Sequence, residues 1–163
     1  MEALEYIQSK LYHSKDIGPT IQNWKQDQQK VVFTNGVFDI LHIGHISYLA
    51  KASELGDKLV IGLNADLSVK RLKGNDRPIN SQNNRALLLA ALFYVDAVVV
   101  FEEDTPQQLI SLILPDVLVK GADYTIDNIV GAREVLANGG LVKTIEFVDG
   151  HSSTSLIQKM KNV

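Results

Sequence analysis

Two histidines three positions apart with a glycine between them, His42-Ile43-Gly44-His45, are the residues of this chain whose types and spacing best suit chemistry. They close the segment Gly36-Val37-Phe38-Asp39-Ile40-Leu41-His42-Ile43-Gly44-His45, which follows the apolar run Val31-Val32-Phe33 and leads into a helical pattern. A passage from a strand end to a helix start gathers free N–H groups and the positive end of the helix dipole, and so favours anions. His42 and His45 fall on neighbouring positions of one helical face, where both can donate to phosphate oxygens and add charge on protonation at about pH 6.5. Gly44 has no side chain to keep a phosphate from the backbone. The segment, with Asn35 before it, therefore predicts a polyphosphate cradle. A His-x-x-His metal pair is the rival reading, but no third Cys or His nearby supports zinc.

Three further segments carry residues suited to charged ligands. Lys70, Arg71, Lys73, Arg77 and Arg85 fall within sixteen residues that hold one acid, Asp76, a cationic stretch suited to a small anion. Lys120-Gly121-Ala122-Asp123-Tyr124 follows a β-branched run. Gly150-His151-Ser152-Ser153-Thr154 joins hydroxyls to a helix start and offers a second anion cradle.

The elements that must position these residues can be read from periodicity. Short β-branched runs predict strands at Val31 to Thr34, Leu59 to Leu63, Ala97 to Phe101, Val117 to Lys120 and Val142 to Phe147. Helical spacing appears at Ile46 to Leu55 with Gly56 as a C-terminal stop, after Ser81, after Thr105-Pro106, over Val130 to Asn138, and from Ser152 onward. This alternation predicts an α/β fold, a Rossmann-like doubly wound five-stranded parallel sheet. Residues 30–163 form the domain and residues 1–29 a helical extension packed against it. Ligands of such sheets sit at the carboxyl ends of strands. The histidine segment, Asn64-Ala65-Asp66, Gly121-Ala122-Asp123 and Gly150-His151-Ser152 each follow a strand, so one crevice can collect all four.

The pattern Gly-x-Phe-Asp-x-x-His-x-Gly-His resembles the signature of the cytidylyltransferase-like nucleotidyltransferases. With Arg71-Leu72-Lys73-Gly74, Arg77-Pro78, the segment Pro115 to Tyr124 and Gly150 to Thr154, the chain looks like the adenylyltransferase domains that make ADP-heptose from heptose 1-phosphate. It departs from their pattern at Val37, often Cys, at Ala122, often a second Gly, and at Ser153, often Thr. The resemblance implies AMP transfer from ATP to heptose 1-phosphate with release of pyrophosphate, for lipopolysaccharide core synthesis. It implies His42, His45 and Lys73 as catalytic groups. Asn35, Gly36, Val37, Phe38, Asp39, Gly44, Lys120, Gly121, Asp123, Ser152, Ser153 and Thr154 would then bind nucleotide, and Asn64, Asp66, Arg77 and Arg85 the substrate. Mg²⁺ would arrive with the triphosphate, held by phosphate oxygens and water rather than by a protein cage. A homo-oligomer is also implied, as is a separately encoded sugar kinase, since such domains are often fused to one. A CTP-dependent enzyme acting on glycerol 3-phosphate and a non-catalytic nucleotide-binding module are the alternatives. A class I tRNA synthetase is disfavoured, because the chain is short and has no Lys-Met-Ser-Lys-Ser-like segment.

Composition sets the outer bounds. The chain has 163 residues, 45% apolar and 21% charged, enough for one domain with a substantial core. A net charge of −3 argues against non-specific nucleic-acid binding, and no apolar run approaches a bilayer span. The first six residues have neither the basic nor the apolar region of a secretory signal, which predicts a cytoplasmic location. Zero cysteines exclude disulfides and thiolate chemistry. Neither a Gly-x-Gly-x-x-Gly turn nor a Walker A sequence is present.

Overall fold

Val31, Val32 and Phe33 are fully buried because the strand they form, β2 (Val31–Gly36), lies inside the sheet with layers on both faces. The structure is a computed structural model that describes residues 1–162; Val163, the last residue of the predicted domain, lies outside the described residues. Five more strands join β2: β1 (Leu11–His13), β3 (Lys58–Asn64), β4 (Ala97–Phe101), β5 (Val117–Gly121) and β6 (Leu141–Ile145). All pairings are parallel, in the order β1-β4-β3-β2-β5-β6.

Period-two alternation sends successive side chains to opposite faces and builds two cores. Val31, Phe33, Val60, Val99 and Leu118 face one layer, against Ile17 and Ile21 of the N-terminal segment and Leu109, Ile110 and Ile113. Val32, Leu59, Ile61, Val98 and Val119 face the other, against Leu49, Ala52, Ala86 and Leu89. The first layer contains α2 (Gly18–Gln26), α6 (Gln107–Ile113) and α7 (Ala132–Ala137); the second contains α3 (Ile43–Ser53) and α5 (Gln82–Ala90). A short α1 (Ala3–Gln8) precedes β1, α4 (Asp66–Lys73) follows β3, and α8 (Ser153–Lys161) follows β6. Among the described residues no helix is long and apolar enough to cross a membrane.

The sheet has six strands, not the five expected. The added strand comes from the first thirty residues, where the sequence pattern predicts only short helices outside the sheet. Leu11-Tyr12-His13 pairs with Val98 to Val100, and a three-residue strand gives too little periodicity to detect. Lys10, just before it, is buried and donates to the carbonyls of Ala90 and Leu92 at the C-terminal end of α5. Lys25 does the same for Ile113 and Leu114 at the end of α6. Each places a cation where the helix dipole favours one.

Other boundaries differ from expectation for local reasons. Gly56 does not stop α3 in a left-handed cap; a Cβ there would meet the Lys30 carbonyl at 2.7 Å, so it serves close packing against the chain entering β2. Pro106 is the N-cap of α6 rather than its first helical residue. The last strand ends at Ile145, two residues early, and Phe147 turns out of the sheet to stack on Tyr48 at 5.4 Å.

The strand order reverses beside β2. From it the chain steps outward to β3 and β4, then crosses back to β5 on the other side. The carboxyl ends of β2 and β5 therefore flank a topological switch point, where doubly wound sheets hold ligands.

Candidate active site

A crevice of about 820 Å³ opens at that switch point. Its wall begins at the end of β2. Gly36 has no side chain because the Phe38 ring folds back against it; a Cβ there would meet Phe38 Cε2 at 2.9 Å. This reversal puts Phe38 at φ 47°, a left-handed conformation that costs a non-glycine residue energy and is held only by surrounding structure. The buried Phe38 ring then meets His45 edge-on, with centroids 5.2 Å apart. Phe38 supports the histidines from beneath.

The chain enters α3 through His42, the N-cap, whose Nδ1 accepts from the Gly44 N–H at 3.1 Å. In the neutral ring this leaves the proton on Nε2, as a donor. The His45 ring stacks on His42 with centroids 3.8 Å apart and planes 25° from parallel. Gly44 is needed for this stack rather than for phosphate approach: a Cβ there would sit 2.9 Å from two His42 ring atoms. Its N–H donates to His42 in this structure.

The imidazoles are less basic than free histidine. Burial, and then the neighbouring His42, push His45 down to about 4; the Ile40 carbonyl opposes this, and it also accepts from Ser153 Oγ. Burial followed by His151 lowers His42. At about pH 7 His45 is therefore a neutral donor, and His42 takes up a proton less readily than an ordinary histidine, which titrates at about pH 6.5. His45 Nδ1 and Asn35 Oδ1 are buried without hydrogen-bond partners, and both residues line the crevice. Unpaired buried polar atoms are costly, so both are groups a ligand can satisfy.

Asp39 and Arg85, expected at nucleotide and substrate, each hold several loops of the site together, and of the two Asp39 lines the crevice. Asp39 is 1% exposed and accepts from the backbones of Ile79 and Asn80 and from Arg77 Nε at 2.7 Å. Burial pushes its carboxyl upward, but these three donors together outweigh it and hold the group below the ordinary range. Arg85 is also 1% exposed. Its guanidinium donates to the carbonyls of Asn80, Val37 and Asn64 and to Asp66 Oδ1. Neither Arg85 nor Asp66 lines the crevice, because each is engaged by the other. Their place among charged residues of the sequence gives no sign of burial.

Lys73, Arg77 and Asn64 do reach the crevice. Lys73 ends α4, and among the described residues it has no ion-pair partner. Lys120 and Gly121 close the opposite side at the end of β5. Burial brings Lys120 down to about 8, against the pull of Asp123, and its Nζ lies 5.2 Å from the Tyr124 ring centre. Gly121 leaves room for Phe147, whose ring would lie 2.1 Å from a Cβ. The 150–154 loop completes the rim. Ser152 Oγ caps α8 by accepting from Ser155 N, and Ser153 Oγ donates to the Ile40 carbonyl at 3.0 Å. The Ser153 hydroxyl thus fastens the two anion cradles together, and Thr154 also lines the crevice.

Sequence reasoning missed several lining residues. Asp104, Thr105 and Pro106 follow β4, and the same strand-end rule that gathers the other four loops would have included this one. Tyr48 lies one helical turn beyond His45, on the same face. Phe147 gives no signal, since its position depends on where β6 ends.

No Mg²⁺ cage is built from these acids. Asp39 and Asp66 are committed to arginines, Asp104 pairs with Arg71, and among the described residues no trio of His, Asp and Glu is arranged to hold a metal. The donor set fits a cation carried by phosphate oxygens and water.

Two outcomes follow from this geometry. An unfolded imidazole gains its proton at about pH 6.5 and folded His45 only at about 4, so the unfolded state holds more protons in between and stability falls as pH drops through that window. Urea unfolding at several pH values should show this slope and its reduction in His45→Asn; an equal slope in both proteins would contradict the shift. Arg85→Met should lower unfolding free energy by about 3 kcal/mol or more, through three carbonyls and a carboxylate left unpaired, and a loss under about 1 kcal/mol would contradict the clamp.

The cytidylyltransferase-like family model matches residues 33–159. The bifunctional protein HldE of Cronobacter sakazakii is 59% identical over 133 residues, 82% of this chain and 28% of that protein. The protein of the same name from Haemophilus ducreyi is 58% identical over 139 residues, 85% of this chain and 29% of that one. The chain thus spans under a third of the length of these curated relatives. Among solved structures, a lipopolysaccharide core biosynthesis protein from Thermoplasma volcanium matches with a TM-score of 0.58 and 32% identity, over 74% of this chain and 97% of its own. Its match to the family model over residues 33–159, a range that includes the stacked histidines, makes this chain a member of the cytidylyltransferase-like family.

Proposed function

We propose that the chain transfers AMP from ATP to heptose 1-phosphate, giving ADP-heptose and pyrophosphate. The observation that carries this reading is the convergence of His42, His45, Lys73, Arg77 and the start of α8 on one crevice at the switch point. That is a set of donors and cations, which is what this reaction requires. A sugar phosphate already holds an ionised oxygen near neutral pH, its second pKa being about 6. That oxygen attacks the α-phosphorus, the bond to the β-phosphate oxygen breaks, and pyrophosphate leaves with the electron pair.

Rate enhancement then comes from placement and from stabilising charge on the phosphates. His42, with Nε2 carrying its proton, donates to a phosphate oxygen. His45 approaches the same group from the buried end of the stack. Lys73 supplies charge toward the leaving side, and Arg77, held by Asp39, supplies it on another. Mg²⁺ bound to the triphosphate would neutralise part of its charge. The adenine choice is supported by the resemblance of the 115–124 and 71–78 segments. The sugar acceptor is supported by the relatives named HldE and by the Thermoplasma volcanium neighbour described as a lipopolysaccharide core biosynthesis protein. A kinase reaction must supply the sugar phosphate.

Pyrophosphate release, measured with ATP or CTP and with heptose 1-phosphate or glycerol 3-phosphate, tests the reading. Turnover is expected with ATP and the heptose phosphate; equal or faster turnover with CTP would overturn the base assignment. In the productive pair, His45→Ala should lower kcat by about 10²–10³-fold, the loss associated with one preorganised donor, while the chain stays folded. Near-normal turnover would remove His45 from the mechanism.

A further inference from the structure

His151 lies in the segment read above as a second anion cradle, yet its own side chain has been given no ligand role. It is exposed, and among the described residues it makes no hydrogen bond, so neither packing nor a cap explains it. Yet its ring faces His42, with centroids 6.4 Å apart and planes 26° from parallel. His42 in turn faces His45 at 3.8 Å and 25°. Three imidazoles therefore run in one tilted series, from partly buried His45 to exposed His151, and all three line the crevice.

The third ring is held in register with the other two. Its loop is fastened to the signature turn by the Ser153 hydroxyl, which donates to the Ile40 carbonyl at 3.0 Å. The His151 Cβ lies 3.4 Å from where a Cβ on Gly44 would be, so the loop runs close over that glycine. The series cannot serve as a metal site, because stacked rings present faces to one another rather than converging nitrogens.

Resting on the triphosphate reading of this crevice, we infer that His151 is a further phosphate-binding residue, the outer donor of a three-imidazole series that selects a triphosphate over a monophosphate. A single phosphate can be satisfied by the inner pair. A chain of three reaches the mouth, where His151 and the N–H groups opening α8 lie together. Histidine suits this position, because an imidazole offers a ring N–H donor to a phosphate oxygen.

Calorimetric titration of the full chain with ATP, pyrophosphate and AMP, each with Mg²⁺, tests this in the wild type, His151→Ala and His151→Gln. Because the side chain is exposed, the thermal midpoint of the free protein should not change in either variant. His151→Ala should weaken ATP and pyrophosphate by about tenfold and leave AMP unchanged, and His151→Gln, which keeps an N–H donor, should recover part of that loss. Equal ATP affinity in wild type and His151→Ala would overturn the inference while leaving the reading of the crevice intact. A parallel loss for AMP would also overturn it, since the effect would then not lie on the outer phosphates. A wild-type chain that binds none of the three would remove both.

Discussion

One buried guanidinium decides where the walls of this crevice stand. Arg85 reaches from α5 to the turn after β2, the end of β3 and the loop before α5 itself, through the carbonyls of Val37, Asn64 and Asn80. Taking a full charge out of water costs several kcal/mol unless every donor is met, so the three loops are bound to one geometry. Asp39 repeats the device one layer nearer the ligand. It gathers the backbone of Ile79 and Asn80 and turns Arg77 toward the crevice. The cations of the sequence thus divide by burial: Arg85 builds the frame, while Arg77 and Lys73 face the space it encloses.

Within that frame the histidines act first as dipoles. Burial makes both rings less basic than free histidine, helped by His42 at His45 and by His151 at His42, and the bond from Gly44 leaves the proton of a neutral His42 on Nε2. A neutral, preoriented donor needs no reorganisation when charge develops on a phosphate, which is where such groups contribute most. A polyphosphate entering the crevice would raise their basicity, so the site gains charge as its ligand arrives. The left-handed turn at Phe38 belongs to the same arrangement, since it places an aromatic edge under His45 and closes the floor.

Much of this is legible in the sequence. Five β-branched runs correspond to five strands of the sheet, and the strand-end rule brings four motifs to one place because parallel strands share one carboxyl edge. Residue type alone also singles out His42, His45 and Lys73, and all three line the crevice. What stays hidden depends on burial and on direction. Nothing in a run of arginines and lysines distinguishes Arg85, fully enclosed, from Lys73, exposed. Gly44 does mark a place where a side chain cannot stand, but its neighbour is an imidazole rather than a phosphate. The strand at Leu11 to His13 escapes because three residues cannot display a period, and Phe147 because a strand end set by tertiary contacts places it.

Direct transfer is the central claim: the acceptor oxygen meets the α-phosphorus in a crevice that contributes position and charge but no covalent intermediate. The stereochemical course at that phosphorus tests this most directly, using ATP made chiral at the α-phosphate by sulfur and oxygen isotopes. A single in-line displacement predicts inversion in the nucleotide sugar. Retention would require a nucleotidyl-enzyme intermediate, and would contradict the assignment of the histidines as donors rather than nucleophiles.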